Sequence, residues 1–67
     1  MINMTPGSEE SYWVNIYEVR ELEISSCEED GVRIVIEWKD GSSVTLWDPM
    51  PKPDYEEYLT KRLSGVL

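Results

Sequence analysis

GVRIVIEWKDGSSVTLW, residues Gly31 to Trp47, is the stretch that decides the fold of this 67-residue chain. From Val32 to Lys39, apolar residues recur at every second position, which is the pattern of a strand with one buried face. The pair at positions 40–41, Asp-Gly, is the strongest turn signal in the chain. The stretch therefore predicts an antiparallel hairpin.

Two loop lengths compete at this turn. A two-residue loop would place Val44 and Leu46 on the side of the hairpin that faces away from the core. A three-residue loop, residues 39–41, is a type I turn closed by a bulge and needs a left-handed residue where Gly41 lies. Because a slip of one residue turns every side chain over, the hydrophobic pattern favours the three-residue loop. The predicted core face then consists of Ile34, Ile36, Trp38, Val44 and Leu46.

The opposite face of this hairpin is unusually apolar for a surface in water. It carries Val35, Thr45 and Trp47 between the charged side chains of Arg33 and Glu37. Either a partner covers these residues or another segment of the chain does. We expect Trp47 to be exposed in the monomer. The alternative is a second small core, formed when the N-terminal strand or the proline-rich connector folds over it.

Composition limits the class of protein. A chain of 67 residues forms one domain and buries only about 60% of its unfolded surface. The formal charge of −8 opposes direct binding to nucleic acids or anionic membranes and favours basic partner surfaces. A single cysteine, Cys27, fits a reducing compartment, and neither a transmembrane run nor a signal peptide is evident. We therefore expect a cytoplasmic protein.

The first part of the chain divides at residue 12. Residues 1–11 lack periodicity and contain a Pro-Gly turn signal, so we interpret them as a flexible N-terminal tail ahead of a single domain, residues 12–67. From Tyr12 to Ser26 the pattern is that of a strand with one phase break, which predicts a bulge or bend near Glu18–Glu21. A short helix over Tyr17–Ile24 is the alternative.

The second half of the chain predicts a helix after a stiff connector. Three prolines at alternate positions within residues 48–53 cannot continue a ladder, and they carry the chain onto the sheet. Asp54 and Glu57 have the spacing of a capping box, which places the helix start at Asp54. Gly65 is the expected end. The apolar stripe consists of Tyr55, Leu59 and Leu63. The predicted fold is thus α+β, with an antiparallel sheet of three or four strands and one C-terminal helix on one face.

The residue types offer little catalytic chemistry. The chain has no histidine, one cysteine and scattered glycines, so it lacks the material for an imidazole base, a CxxC motif or a phosphate-binding loop. Three consecutive acids, residues 28–30, lack the alternating spacing of a calcium loop. We expect no enzyme activity, no cofactor and no metal site.

In size and charge the chain resembles the small acidic inhibitors that mimic nucleic acid, including several phage proteins directed against host nucleic-acid enzymes. This resemblance implies an inhibitor that covers a basic, nucleic-acid-binding site on a larger partner. Our leading hypothesis is accordingly a non-catalytic module for protein–protein interaction. The alternative is a structural subunit that forms a homodimer through the second sheet face or an edge strand. The residues predicted to bind the partner are Trp13, Tyr17, Val35, Trp47, Glu28, Glu29 and Asp30.

Overall fold

The chain folds as an α+β domain in which antiparallel strands pack against one C-terminal helix, as the sequence predicts. The computed structural model describes residues 1–27 and 30–66. In these residues the strands form a two-stranded sheet and a three-stranded sheet of order β3-β4-β5. The elements in chain order are β1 (Ile2–Asn3), β2 (Trp13–Val14), a 3₁₀ turn (Ile16–Glu18), β3 (Val19–Ser26), β4 (Val32–Trp38), β5 (Ser43–Asp48) and α1 (Lys52–Val66).

The hairpin of β4 and β5 has the predicted register. Ile36 lies opposite Val44, and the backbone N–H of Trp38 donates to the carbonyl oxygen of Ser42 at 2.8 Å. Gly41 has a φ of 94°, the left-handed conformation that closes the three-residue loop. The choice of loop from the hydrophobic pattern is therefore confirmed.

The core lies between one face of the three-stranded sheet, α1 and the N-terminal segment. Trp38, Val44 and Leu46, which were expected to face the core, are half-buried against it. Leu63, the last residue of the predicted helix stripe, is also half-buried there. The fully buried apolar side chains are Ile2, Met4, Val14, Val32, Ile34, Ile36, Tyr55 and Leu59.

The phase break before β3 is present where the sequence predicts it. A 3₁₀ turn precedes β3, and the pairing of β3 with β4 shifts register between Val19 and Glu21. The helical alternative for this region is wrong, because the residues from Val19 onward form a strand. Pairing with β4 brings Leu22 and Ile24 against the core, which a short isolated helix would not achieve.

The N-terminal segment differs from the flexible tail predicted for residues 1–11. The side chains of Ile2 and Met4 are only 2% and 1% exposed. Two tyrosine hydroxyls of α1 hold the backbone of this segment. Tyr55 donates to the carbonyl oxygen of Met4 at 2.5 Å, and Tyr58 donates to that of Asn3 at 2.6 Å. Local periodicity could not reveal this docking, because each strand of the small sheet has only two residues.

The loop between β1 and β2 is closed by its own polar side chains. Asn3 Oδ1 accepts hydrogen bonds from the backbone N–H groups of Thr5 and Tyr12, both at 3.1 Å. The hydroxyl of Thr5 donates to the carbonyl oxygen of Glu10 at 2.9 Å. These bonds satisfy backbone N–H and C=O groups of the loop that form no strand-to-strand hydrogen bond. The folded unit therefore includes β1 and this loop, and does not begin at residue 12.

The helix begins two residues earlier than predicted. Its first turn starts at Lys52, and the N–H of Tyr55 donates to the carbonyl oxygen of Pro51 at 2.9 Å. Pro53 fits in this turn because the first helical N–H groups have no intrahelical partner. Asp54 therefore lies inside the first turn, and the predicted cap at this residue is wrong. Its negative charge still interacts favourably with the helix dipole at this position.

The helix also ends later than predicted. Gly65 lies within α1, which continues to Val66, so glycine does not end the helix here. Lys61 and Arg62 consequently fall before the last turn. In the described part of the chain no helix is both long and apolar enough to span a membrane.

Candidate functional site: the open face of the sheet

One face of the three-stranded sheet points away from α1 and the core. We call it the open face. Its residues follow from the strand register, because side chains directly opposite one another in neighbouring strands lie on the same face. The open face consists of Glu21, Glu23 and Ser25 from β3, Arg33, Val35 and Glu37 from β4, and Ser43, Thr45 and Trp47 from β5.

Acidic side chains occupy the β3 side of the open face. Glu21 and Glu23 are exposed, and together with Glu37 and Val35 they line a small depression. Glu21 lies directly opposite Glu37, a like-charge pair that destabilises the sheet unless it is compensated. An ion pair between Arg20 and Glu37 supplies part of that compensation. Among the described residues neither Glu21 nor Glu23 forms an ion pair, so both can meet an external positive charge.

The aromatic end of the open face lies on β5. Trp47 is 51% exposed and lies opposite Arg33, which is also exposed. One edge of its indole packs against Gly31, because a Cβ built on Gly31 would lie 2.8 Å from Nε1 of the ring. The ring is thus supported on one side and open to solvent on the other. A side chain that is already held in place loses less entropy on binding.

The acidic loop between β3 and β4 reaches the same end of the sheet. Asp30 is exposed, has a φ of 40° and directly precedes Gly31, the residue that supports the indole. Of the predicted partner-binding residues, Val35 and Trp47 therefore lie on the open face, and Asp30 lies at its Trp47 end. Glu28 and Glu29, which were predicted with them, lie outside the described residues.

The other two predicted aromatics lie elsewhere. Trp13 is 59% exposed, but it belongs to the two-stranded sheet and lines a groove with Tyr58 and Arg62 of α1. Tyr17 is 61% exposed on the 3₁₀ turn. The structure therefore does not unite Trp13, Tyr17 and Trp47 on one surface. A single strand over residues 12–26 would have brought Trp13 and Tyr17 onto one face, but the chain turns between Trp13 and β3.

A buried carboxylate, which the sequence analysis did not single out, fixes the end of β5. Asp48 is fully buried and accepts hydrogen bonds from the backbone N–H of Gly7 at 2.9 Å and of Met50 at 3.0 Å. The bond to Gly7 ties the β1–β2 loop to β5, next to Trp47. An Asp directly before a proline was a possible signal, since such residues often bond to backbone groups near turns.

This buried region also changes the acidity of a helix residue. Burial, and next the carboxylate of Asp48, raise the pKa of the Tyr55 hydroxyl well above its usual range. At the exposed hairpin turn the effect is opposite. Hydrogen bonds from the side chain and backbone of Ser42 lower the pKa of Asp40. Neither residue lies on the open face, so both are structural features of the scaffold that positions it.

The open face offers contact surface and charge. Within residues 1–27 and 30–66, no three side chains of the metal-binding types are grouped so that they could hold an ion. No protein-family model, curated protein or solved structure is significantly similar to this chain. The fold and the site together define a small acidic α+β domain with one uncovered sheet face.

Proposed function

We propose that this protein is a non-catalytic binding module that uses the open face to cover a basic site on a larger protein, such as the nucleic-acid site of an enzyme. The observation that carries the proposal is the composition of that face. It combines a supported but exposed Trp47 with the half-buried Val35 and a row of acids on β3. Tryptophan is over-represented among residues that dominate binding energy at protein interfaces.

Charge supports a basic partner. The whole chain carries a formal charge of −8, and Glu21 and Glu23 present two of its carboxylates beside the apolar part of the open face. Complementary charge of this kind steers association and selects partners, whereas the apolar anchor supplies affinity. In the inhibitor reading, these carboxylates stand in for the phosphates that the basic site normally binds.

The proposal is tested by comparing two tryptophan variants on one partner. Proteins retained from a host lysate by the wild type are identified, purified and titrated against each variant. Trp47→Ala should weaken binding by about 2 kcal/mol or more, roughly thirtyfold, while its melting temperature stays close to that of the wild type. Trp13→Ala is the matched control, because it removes a similarly exposed indole from the other sheet. It should leave the affinity unchanged.

A second pair of variants tests the charge. Glu21→Gln with Glu23→Gln should slow association and flatten its dependence on salt. Glu56→Gln with Glu57→Gln removes the same charge from exposed positions on α1, on the other side of the sheet from the open face, and should have a smaller effect. Equal losses in Trp47→Ala and Trp13→Ala would contradict the proposal, as would a Trp47→Ala protein that melts well below the wild type with unchanged binding.

A further inference from the structure

The free edge of β5 presents unpaired backbone groups in a regular row. The sheet order is β3-β4-β5, so β5 has β4 on one side and no strand partner on the other within the described residues. Trp38 and Ser42 form a hydrogen-bonded pair at the hairpin end. Because such pairs alternate along an antiparallel ladder, Val44 and Leu46 also bond to β4. The N–H and C=O groups of the intervening residues, Ser43, Thr45 and Trp47, therefore point outward.

The two edges of this sheet differ in how well they resist pairing. The β3 edge carries Arg20, Glu21 and Glu23 and a register shift between Val19 and Glu21. Charges and bulges of this kind are how proteins prevent edge strands from associating. Residues 43–47 on β5 contain no charged residue and no proline. Of the two edges in the described part of the sheet, the β5 edge is therefore the one better suited to pair with a second strand.

We infer that the β5 edge pairs with β5 of a second copy of this chain, antiparallel and about a twofold axis at Thr45. In that register Thr45 faces its own counterpart, Ser43 faces Trp47 of the second copy, and Val44 faces Leu46 of the second copy. The outward backbone groups of residues 43, 45 and 47 then bond to one another. The result is a continuous six-stranded sheet.

The side chains of β5 are complementary to themselves in this arrangement. Val44 and Leu46 are half-buried on the core side, so their pairing extends the two cores into one another. Thr45 is exposed on the open face, and cross-strand threonine pairs are favourable. The groove between Leu46–Trp47 and the β1–β2 loop lies where the Ser43 end of the second strand would enter.

Charge distribution selects a second copy over a basic peptide as the occupant. Residues 43–47 carry no carboxylate that a basic strand could pair with along its length, and Glu10 lines the groove only at the Leu46–Trp47 end. For two copies that each carry −8, an uncharged strand is where they approach with little local repulsion. The twofold axis runs perpendicular to the sheet, so both open faces lie on the same side. Dimerisation thus leaves both open faces uncovered for the binding proposed above.

The test is the oligomeric state of the full chain, measured by sedimentation from micromolar to millimolar concentration. The wild type should show a reversible monomer–dimer equilibrium. Thr45→Lys places two like charges opposite each other at the axis and should weaken dimerisation by about tenfold or more. Ser26→Lys is the matched control, because it adds the same charge at an exposed position on β3. It should leave the dissociation constant close to that of the wild type. Circular dichroism verifies that both variants fold.

Amide hydrogen exchange of the wild type gives a second readout that needs no variant. The N–H groups of Ser43, Thr45 and Trp47 should gain protection as the concentration rises, while those of the β3 edge do not. A protein that stays monomeric up to millimolar concentration would overturn the inference. So would a dimer that Thr45→Lys does not weaken, or one without added protection along β5. Loss of partner binding in Trp47→Ala with the dimer intact would separate this inference from the proposed function.

Discussion

At the scale of single residues, a few polar groups hold the N-terminal segment onto the rest of the domain. The hydroxyl of Tyr55 donates to the carbonyl oxygen of Met4, and the carboxylate of Asp48 accepts from the N–H of Gly7. Both side chains are fully buried. A buried polar group that loses its partner costs more than the bond itself contributes, so each of these positions should be sensitive to a small chemical change.

Tyr55→Phe should destabilise the protein at neutral pH and change its response to alkali. Removing the hydroxyl leaves the Met4 carbonyl without its donor, at a cost of about 1 to 3 kcal/mol. The pKa of Tyr55 is raised above the ordinary value of 10.0, so above that pH the unfolded chain loses its proton while the folded chain keeps it. The free energy of unfolding of the wild type should therefore fall as the pH rises through this range.

Urea titrations on both sides of this pH measure the effect. The difference between the wild type and Tyr55→Phe should shrink as the pH rises above 10.0. Tyr17→Phe, at a tyrosine that is 61% exposed, is the control and should behave like the wild type throughout. A constant difference across the alkaline range would show that the Tyr55 hydroxyl titrates alike in both states.

Asp48→Asn tests the buried carboxylate, and Asp40→Asn tests an exposed one. The amide offers one acceptor oxygen, so one of the two backbone donors from Gly7 and Met50 loses its partner, and we expect a loss of about 1 to 3 kcal/mol. Asp40→Asn is the comparison in an exposed turn, where both bonds come from Ser42 and reach one oxygen, Oδ1, which the amide keeps. It should stay within about 0.5 kcal/mol of the wild type. Equal losses in chemical denaturation would contradict the expected cost of an unpaired donor at the buried site.

At the scale of secondary-structure elements, the β4–β5 hairpin determines which side chains form the open face. Its loop length sets the register, and the register assigns Val44 to the core and Thr45 to the open face. A change at the turn therefore acts on the core and the proposed binding surface at once.

Gly41→Val should cost more than about 1 kcal/mol in equilibrium denaturation, because a β-branched residue is strained at a φ of 94°. A Cβ at Gly41 would meet no heavy atom within 4 Å, so backbone strain is the only penalty. Gly65→Val is the control in equally open space, on α1, where valine is no worse than glycine for helix formation. It should be neutral or slightly stabilising. A loss under about 0.3 kcal/mol at Gly41 would be incompatible with this turn.

At the scale of the whole molecule, the N-terminal segment closes the core. Ile2 and Met4 enter the same cluster as Ile34 and Ile36 from the sheet and Tyr55 from the helix. A domain this small has little core to lose, since it buries only about 60% of its unfolded surface. The segment interpreted from sequence as a tail therefore acts as part of the scaffold.

Met4→Ala tests that role directly. Because the side chain is 1% exposed, its truncation should destabilise the protein by about 2 to 5 kcal/mol, a large part of the stability of a small domain. Glu9→Ala, an exposed position of the same segment, should change thermal stability very little. If both variants melted with the wild type, residues 1–11 would be a tail after all.

The sequence by itself determined the features that depend on neighbours along the chain. Residues 31–47 contain both the alternation and the turn glycine, so the hairpin register follows from them alone. The phase break before β3 and the presence of a C-terminal helix are equally local. The predicted first residue of the helix was wrong because Asp54 and Glu57 have the spacing of a capping box. The helix starts at Lys52, since a proline is tolerated in the first turn.

Only the tertiary structure decided what closes the core and which aromatics share a surface. The bonds that dock the N-terminal segment join residues 41, 51 and 55 positions apart, and no local pattern encodes contacts of that separation. Trp13 belongs to the small sheet and lies beside Tyr58 and Arg62 of α1, whereas Trp47 lies on the open face of the three-stranded sheet. Side-chain exposure depends on which distant segments pack together, and only the folded chain specifies that.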